Sequence, residues 1–164
     1  MKKIVLLLLI VTISVSCSKA QDKTSFSEKA MSEIMIDKEG NEVPFSKIID
    51  QYKGKKVVID VWASWCGDCV AGMPRVKELQ STYPDVIFLF LSLDRDFNSW
   101  KKGVKKYKLK GEHYYVPAGW KSDFNKSIEL DWIPRYMVVA STGEIVLYNA
   151  KVATDTKLEE AIKN

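Results

Sequence analysis

The stretch Lys56-Val57-Val58-Ile59-Asp60-Val61-Trp62-Ala63-Ser64-Trp65-Cys66-Gly67-Asp68-Cys69-Val70-Ala71-Gly72-Met73-Pro74 decides how the rest of this 164-residue chain is read. Its first part, Val57 to Trp62, is short, apolar and rich in β-branched residues, with one carboxylate inside it. Such a run suits a strand buried on both faces of a parallel sheet. After the cysteines, Val70, Met73, Val76 and Leu79 recur at helical spacing up to the break at Tyr83-Pro84. Cys66 therefore falls where a strand end turns into a helix N-terminus. Free backbone N–H groups and the helix dipole favour a thiolate there, and the thiolate is the reactive form of the side chain. Cys69, three residues on, lies on the same face of the first turn and can reach Cys66.

Counting cysteines narrows what this pair can be for. The chain has three, Cys17, Cys66 and Cys69, and one histidine, His113. A disulfide kept for stability closes a long loop, because the stabilisation grows with the number of residues enclosed. A gap of two residues closes almost none. Half a zinc site has the same spacing, but a structural zinc takes four ligands, and the second Cys or His pair is missing. Metal binding by one chain is not expected, and no cofactor is called for.

Outward from this stretch, Asp85–Leu93 reads as a strand and Phe97–Tyr107 as a helix. A loop carrying His113, Tyr114, Tyr115 and Pro117 is expected next, then a short helix capped by Ser122 or Asp123. Tyr136–Ala140 and Ile145–Tyr148 flank Ser141-Thr142-Gly143-Glu144 as a hairpin. A last helix starts at Thr154 or Asp155 and runs to Ile162. Upstream, Ser32–Ile36 and Glu42–Pro44 flank Asp37-Lys38-Glu39-Gly40 as a small hairpin. This order predicts an α/β domain: a central mixed β-sheet flanked by helices, with an N-terminal β-hairpin and an inserted helix.

The N-terminus follows other rules. Lys2 and Lys3 precede Ile4 to Val15, which is apolar except for Thr12 and Ser14. A charged start and an apolar run too short to span a bilayer describe a secretory signal. Ser14-Val15-Ser16-Cys17 resembles the lipobox of bacterial lipoproteins, in which the cysteine is acylated. Ser18-Lys19-Ala20 could instead serve ordinary cleavage. The expected organisation is a signal over 1–16 with Cys17 as the lipidation candidate, a linker over 17–29, and one domain over 30–164. Without Lys2 and Lys3 the 25 basic residues become 23 against 21 acidic, and net +4 becomes +2. That balance gives no argument for nucleic acid. Six lysines between Lys101 and Lys110 read as the solvated face of a surface helix.

Trp62-Ala63-Ser64-Trp65-Cys66-Gly67-Asp68-Cys69 with Pro74 resembles the active-site segment of thioredoxins, and Ile133-Pro134, just before a strand, matches the cis-proline of that fold. The secretory signal, the N-terminal hairpin and the insertion around 96–120 resemble the TlpA/ResA-like branch of membrane-anchored bacterial thiol-disulfide proteins. The resemblance implies a redox disulfide between Cys66 and Cys69, with Cys66 the nucleophile and Cys69 the resolving thiol. It implies that Asp60, a carboxylate in a buried strand whose pKa desolvation should raise, exchanges a proton with Cys69. Trp65, Gly67, Asp68, Ile133 and Pro134 would meet the substrate, with the Ile133 backbone open to strand-like pairing. Trp62 belongs to the core.

Two departures from the thioredoxin pattern bear on direction. Gly67-Asp68 replaces the usual Gly-Pro, and a carboxylate beside the thiols disfavours the thiolate and so favours the disulfide, which makes a better reductant. Phe90 stands near where thioredoxins carry a lysine that pairs with the buried aspartate, so the Asp60 pKa should rise further. The expectation is an extracytoplasmic reductase of protein disulfides, with apocytochrome c thiols as one substrate class. It would be a monomer on the periplasmic face of a bacterial membrane, held by a lipid anchor or else soluble, and fed by a membrane electron donor. A metallochaperone wants Cys-x-x-x-Cys and a placed histidine. A thiol peroxidase wants Thr or Ser where Ala63 stands. A non-catalytic binding module would not need both thiols.

Overall fold

The strand Val57–Trp62 (β3) lies inside the sheet, and all six of its residues are buried. A strand can be apolar on both faces only when helices cover both, and this strand organises the domain around itself. The structure, a computed structural model, describes residues 23–164. The expected signal and Cys17 lie outside the described residues.

Around β3 the elements run α1 (Glu28–Ser32), β1 (Ile34–Ile36), β2 (Glu42–Pro44), α2 (Phe45–Asp50), β3, α3 (Gly67–Thr82), β4 (Ile87–Ser92), α4 (Phe97–Tyr107), β5 (Glu112–Tyr115), a 3-10 turn (Gly119–Lys121), α5 (Asp123–Ser127), β6 (Arg135–Val139), β7 (Ile145–Ala150) and α6 (Thr156–Lys163). The strands form one mixed sheet in the order β2-β1-β5-β4-β3-β6-β7. β4 runs parallel to β3 on one side, and β6 runs antiparallel to it on the other. The predicted mixed α/β sheet with an N-terminal hairpin is the fold observed.

Local chemistry sets the boundaries. Asp96 caps α4 by accepting from the Ser99 N–H at 2.9 Å, Ser122 caps α5 from Asn125 at 3.0 Å, and Asp155 caps α6 from Lys157 at 2.9 Å. Gly111, at φ +125°, lets β5 approach β4: a Cβ there would sit 2.4 Å from the carbonyl oxygen of Phe88. α3 and α6 are tied by Arg75 and Tyr83, both of which donate to the carboxylate of Glu159.

Two expectations change. The loop expected to carry His113, Tyr114 and Tyr115 is strand β5, paired with both β1 and β4. Residues 23–29, read as linker, pack on the domain. Phe26 sits 5.0 Å from Phe45 and 5.7 Å from Phe124 between ring centroids, Thr24 accepts from the Ile145 N–H at 2.8 Å, and Lys23 pairs with Glu129 at 2.7 Å.

Candidate active site

β3 delivers the chain through Ala63, Ser64 and Trp65 to Cys66, which is the N-cap of α3. Cys66 and Cys69 form a disulfide with Sγ atoms 2.09 Å apart, and both residues are buried. The Cys66 Sγ accepts from the Cys69 N–H at 3.1 Å, so a free N–H of the helix N-terminus already points at the sulfur. In the reduced state that donor and the dipole of the 16-residue helix α3 act on a thiolate at Cys66. Pro74 lies inside α3, and the Ile133-Pro134 bond is cis. The Ile133 carbonyl oxygen is 3.6 Å from the Cys66 Sγ.

Asp60 is buried, and its Oδ1 has no hydrogen-bond partner. Its register partner across the antiparallel pair is Tyr136, whose phenol oxygen lies 3.1 Å from where a Cβ on Gly72 would stand. Directly opposed residues share a face, so Asp60 points to the side covered by the first turns of α3, one turn beyond Cys69. Burial alone pushes its carboxyl up to about 8. On its other side the register partner is Phe90, which supplies no cation. Phe90 instead stacks on the buried His113 ring, 4.8 Å between centroids, and burial pushes that imidazole down to about 4. His113 Nε2 lies 3.0 Å from the carbonyl oxygen of Leu109.

Of the expected substrate-contacting residues, Ile133 and Pro134 are buried and the other three lie at the surface. Trp65, Gly67 and Asp68 are exposed beside the disulfide, and with Cys66 and Ile133 they line a hollow of about 220 Å³. Trp62 is buried, as expected of a core residue. Among the described residues no group of three or more His, Cys, Asp or Glu is placed to hold a metal ion.

Four residues at this site were not singled out from the sequence. Asp94 is buried and fixes Ser64, two residues before Cys66. Arg135 is 1% exposed and donates to the carbonyl oxygens of Ile128 at 3.1 Å and Glu129 at 3.5 Å and to Asp131 at 2.7 Å, bracing the loop that carries Ile133. Trp120 and Trp132 complete the walls of the hollow. The one available signal was Trp132, an indole two residues from Pro134.

A strand–turn–helix with a Cys-x-x-Cys disulfide at the start of its helix, beside a cis-proline, on a mixed sheet of this order defines the class. A family model described as thioredoxin-like matches residues 54–145, more than half of the chain, and the chain belongs to that family. Relatives and solved structures that match most of its length are thiol-disulfide oxidoreductases, and it is an enzyme of that kind. The "Thiol-disulfide oxidoreductase ResA" of Bacillus thuringiensis subsp. konkukian is 25% identical over 145 residues, 87% of this chain and 80% of the relative. A solution structure assigned as a thiol-disulfide oxidoreductase from Bacteroides vulgatus superposes with a TM-score of 0.68 at 31% identity, covering 84% of this chain and 88% of the other. A DsbE-type thiol:disulfide interchange protein of Chlorobium tepidum shares the fold, with a TM-score of 0.70 at 22% identity over 87% of this chain and 96% of the other.

Proposed function

We propose that the chain reduces disulfides of extracytoplasmic proteins, apocytochrome c among them, and is itself re-reduced by a dithiol donor in the membrane. The observation that carries this reading is the Cys66 sulfur at the α3 N-terminus, bordering a surface hollow, with the buried Asp60 carboxyl under the same helix. In the reduced enzyme the Cys66 thiolate attacks one sulfur of a substrate disulfide. The substrate's other sulfur leaves as a thiolate and takes a proton. Cys69 then gives up its proton and attacks the Cys66 sulfur of the mixed disulfide. The Cys66–Cys69 disulfide forms and the second substrate thiol is released, so two electrons have passed from protein to substrate. Raised to about 8, Asp60 is a stronger base than an ordinary carboxylate, its anionic fraction at neutral pH is suited to accept the Cys69 proton, and it is assigned that role.

Asp68 supports the reducing direction. It lies in the first turn of α3 between the two cysteines, and its charge disfavours a thiolate there relative to the disulfide. The apolar segment Ile4–Val15 and Cys17 support export and a lipid anchor, with soluble export as the alternative. Among the described residues no helix is long and apolar enough to cross a membrane.

Equilibration of the chain in glutathione and dithiothreitol buffers tests the assignment. The potential is expected nearer to about −270 mV than to about −120 mV, and a value at the oxidising end overturns the reductase reading.

A further inference from the structure

We propose that Trp65, Trp120 and Trp132 form an aromatic cleft that selects polypeptide substrates with an aromatic or branched apolar side chain next to the reacting cysteine. This rests on Cys66 being the exchanging thiol. The three indoles are 53%, 43% and 55% exposed, and they line one hollow together with Cys66, Gly67, Asp68 and Ile133. The other large apolar side chains exposed among the described residues, Ile34, Val146 and Val152, do not line it. Solvated tryptophans gathered at a reactive sulfur mark a surface that a partner covers.

The cleft is built by tertiary structure. Trp65 comes from the turn between β3 and α3, Trp120 from the 3-10 turn after β5, and Trp132 from the loop before β6. Each wall is held from behind. Asp94 accepts from Ser64 beside Trp65, Asn125 donates to the Gly119 carbonyl oxygen at 2.8 Å beside Trp120, and Arg135 braces the loop of Trp132. Walls fixed before binding lose little entropy when an apolar group enters. Gly67 adds no side chain to the hollow, and a Cβ there would project into open space.

The occupant follows from size and from the sulfur. A hollow of about 220 Å³ is smaller than a small-molecule site, typically about 300–1,000 Å³, and takes one side chain. Whatever enters must also bring a sulfur to Cys66, so a cysteine and an apolar side chain must sit on one short segment. Glutathione carries a sulfur but no apolar side chain. Past Asp68 and Trp132 the surface opens into a wider hollow of about 620 Å³ that includes the charged Arg75, Asp131 and Lys151. The apolar preference therefore applies to one flank of the substrate cysteine, and the other flank meets charge.

The chain, pre-reduced with dithiothreitol and freed of excess, is mixed with two disulfide-linked peptides that differ only by Phe or Ser beside one cysteine, on either flank, and with hydroxyethyl disulfide. On one flank the Phe peptide is expected to react roughly tenfold faster than the Ser peptide. In Trp120→Ala and Trp132→Ala the ratio should fall to about twofold or less, and Trp120→Phe and Trp132→Phe should keep most of it. A ratio near one in the unaltered chain, or an unchanged ratio in the alanine variants, overturns the cleft. Failure to react with any of the three disulfides overturns the oxidoreductase mechanism itself.

Discussion

The carboxylate of Asp94 holds Ser64 by both of its donors: it accepts from the Ser64 hydroxyl at 2.6 Å and from the Ser64 backbone N–H at 3.2 Å. The Ser92 hydroxyl donates to the same carboxylate at 2.8 Å. Ser64 lies two residues before Cys66, so a side chain beyond the end of β4 fixes the approach to the reactive sulfur. Asp94→Ala leaves three buried or half-buried donors without an acceptor, which costs about 2 kcal/mol or more of stability. Urea denaturation measures the loss. A lower exchange rate in folded Asp94→Asn, which retains the volume, would show that the contact also positions Cys66.

The same serine is confined from the other side. Tyr107 in α4 donates to the Ser64 carbonyl oxygen at 3.2 Å, and a Cβ on Gly103 would lie 2.5 Å from the Ser64 Cβ. Gly103→Ala therefore forces α4 and the active-site turn apart, with about 1–3 kcal/mol lost. The helix-propensity gain from removing a glycine, about 1 kcal/mol, offsets part of that, so the net loss is up to about 2 kcal/mol. A higher denaturation midpoint for Gly103→Ala would mean that the turn yields without strain.

What the sequence disclosed depended on whether the cause was local. β3, α3 and α4 carry their own periodicity and caps, and α4 spans Phe97–Tyr107 as read. α1 and α2, five and six residues long, are too short for a helical repeat to emerge, and β5 is only four residues without alternation, set between Gly111 and Pro117, which punctuate a loop as readily as a strand. At the site, Cys66, Cys69 and Asp60 lie within one stretch and were legible together. Asp94, Arg135, Trp120 and Trp132 reach it from later loops, through hydrogen bonds and packing that no spacing rule encodes.

Stability against pH should expose Asp60. Its folded pKa, about 8, stands above its ordinary 3.8, so between those values the folded state holds a proton that the unfolded state has lost. Stability falls as pH rises through that window, by at most about 1.4 kcal/mol per unit. His113 has the opposite sign: at about 4 when folded against an ordinary 6.5, it makes stability rise with pH between those values. The two offset each other from about pH 4 to 6.5, leaving a net decline from 6.5 to about 8. In Asp60→Asn the decline should vanish and the His113 rise should remain, which denaturant titrations at pH 4.5, 6.5 and 8.5 resolve.

The same substitution separates proton transfer from scaffolding. Asp60→Asn keeps the shape under α3 and removes the carboxyl's change of charge there. The single-turnover rate at pH 7 should drop on the order of 10–100-fold. Mixed-disulfide formation by a Cys69→Ser variant, which stops before the second attack, should be slowed much less by adding Asp60→Asn. Equal slowing of both steps would assign Asp60 to the Cys66 attack and not to Cys69.

Arg135 connects the cis-proline loop to the interior. Its guanidinium is buried while its carboxylate partner Asp131 is 58% exposed, so the ion pair contributes little by itself and the two carbonyl acceptors matter more. Arg135→Met fills the volume but leaves the Ile128 and Glu129 carbonyl groups unpaired at the end of α5, costing about 2–4 kcal/mol. Arg135→Lys retains the charge but cannot reach three acceptors with one planar fork, and it should recover only part of the loss. The loop it braces holds Ile133 against Cys66 and presents Trp132, so both variants should lose exchange rate with a peptide disulfide more than with hydroxyethyl disulfide. Parallel losses for the two substrates would confine Arg135 to stability.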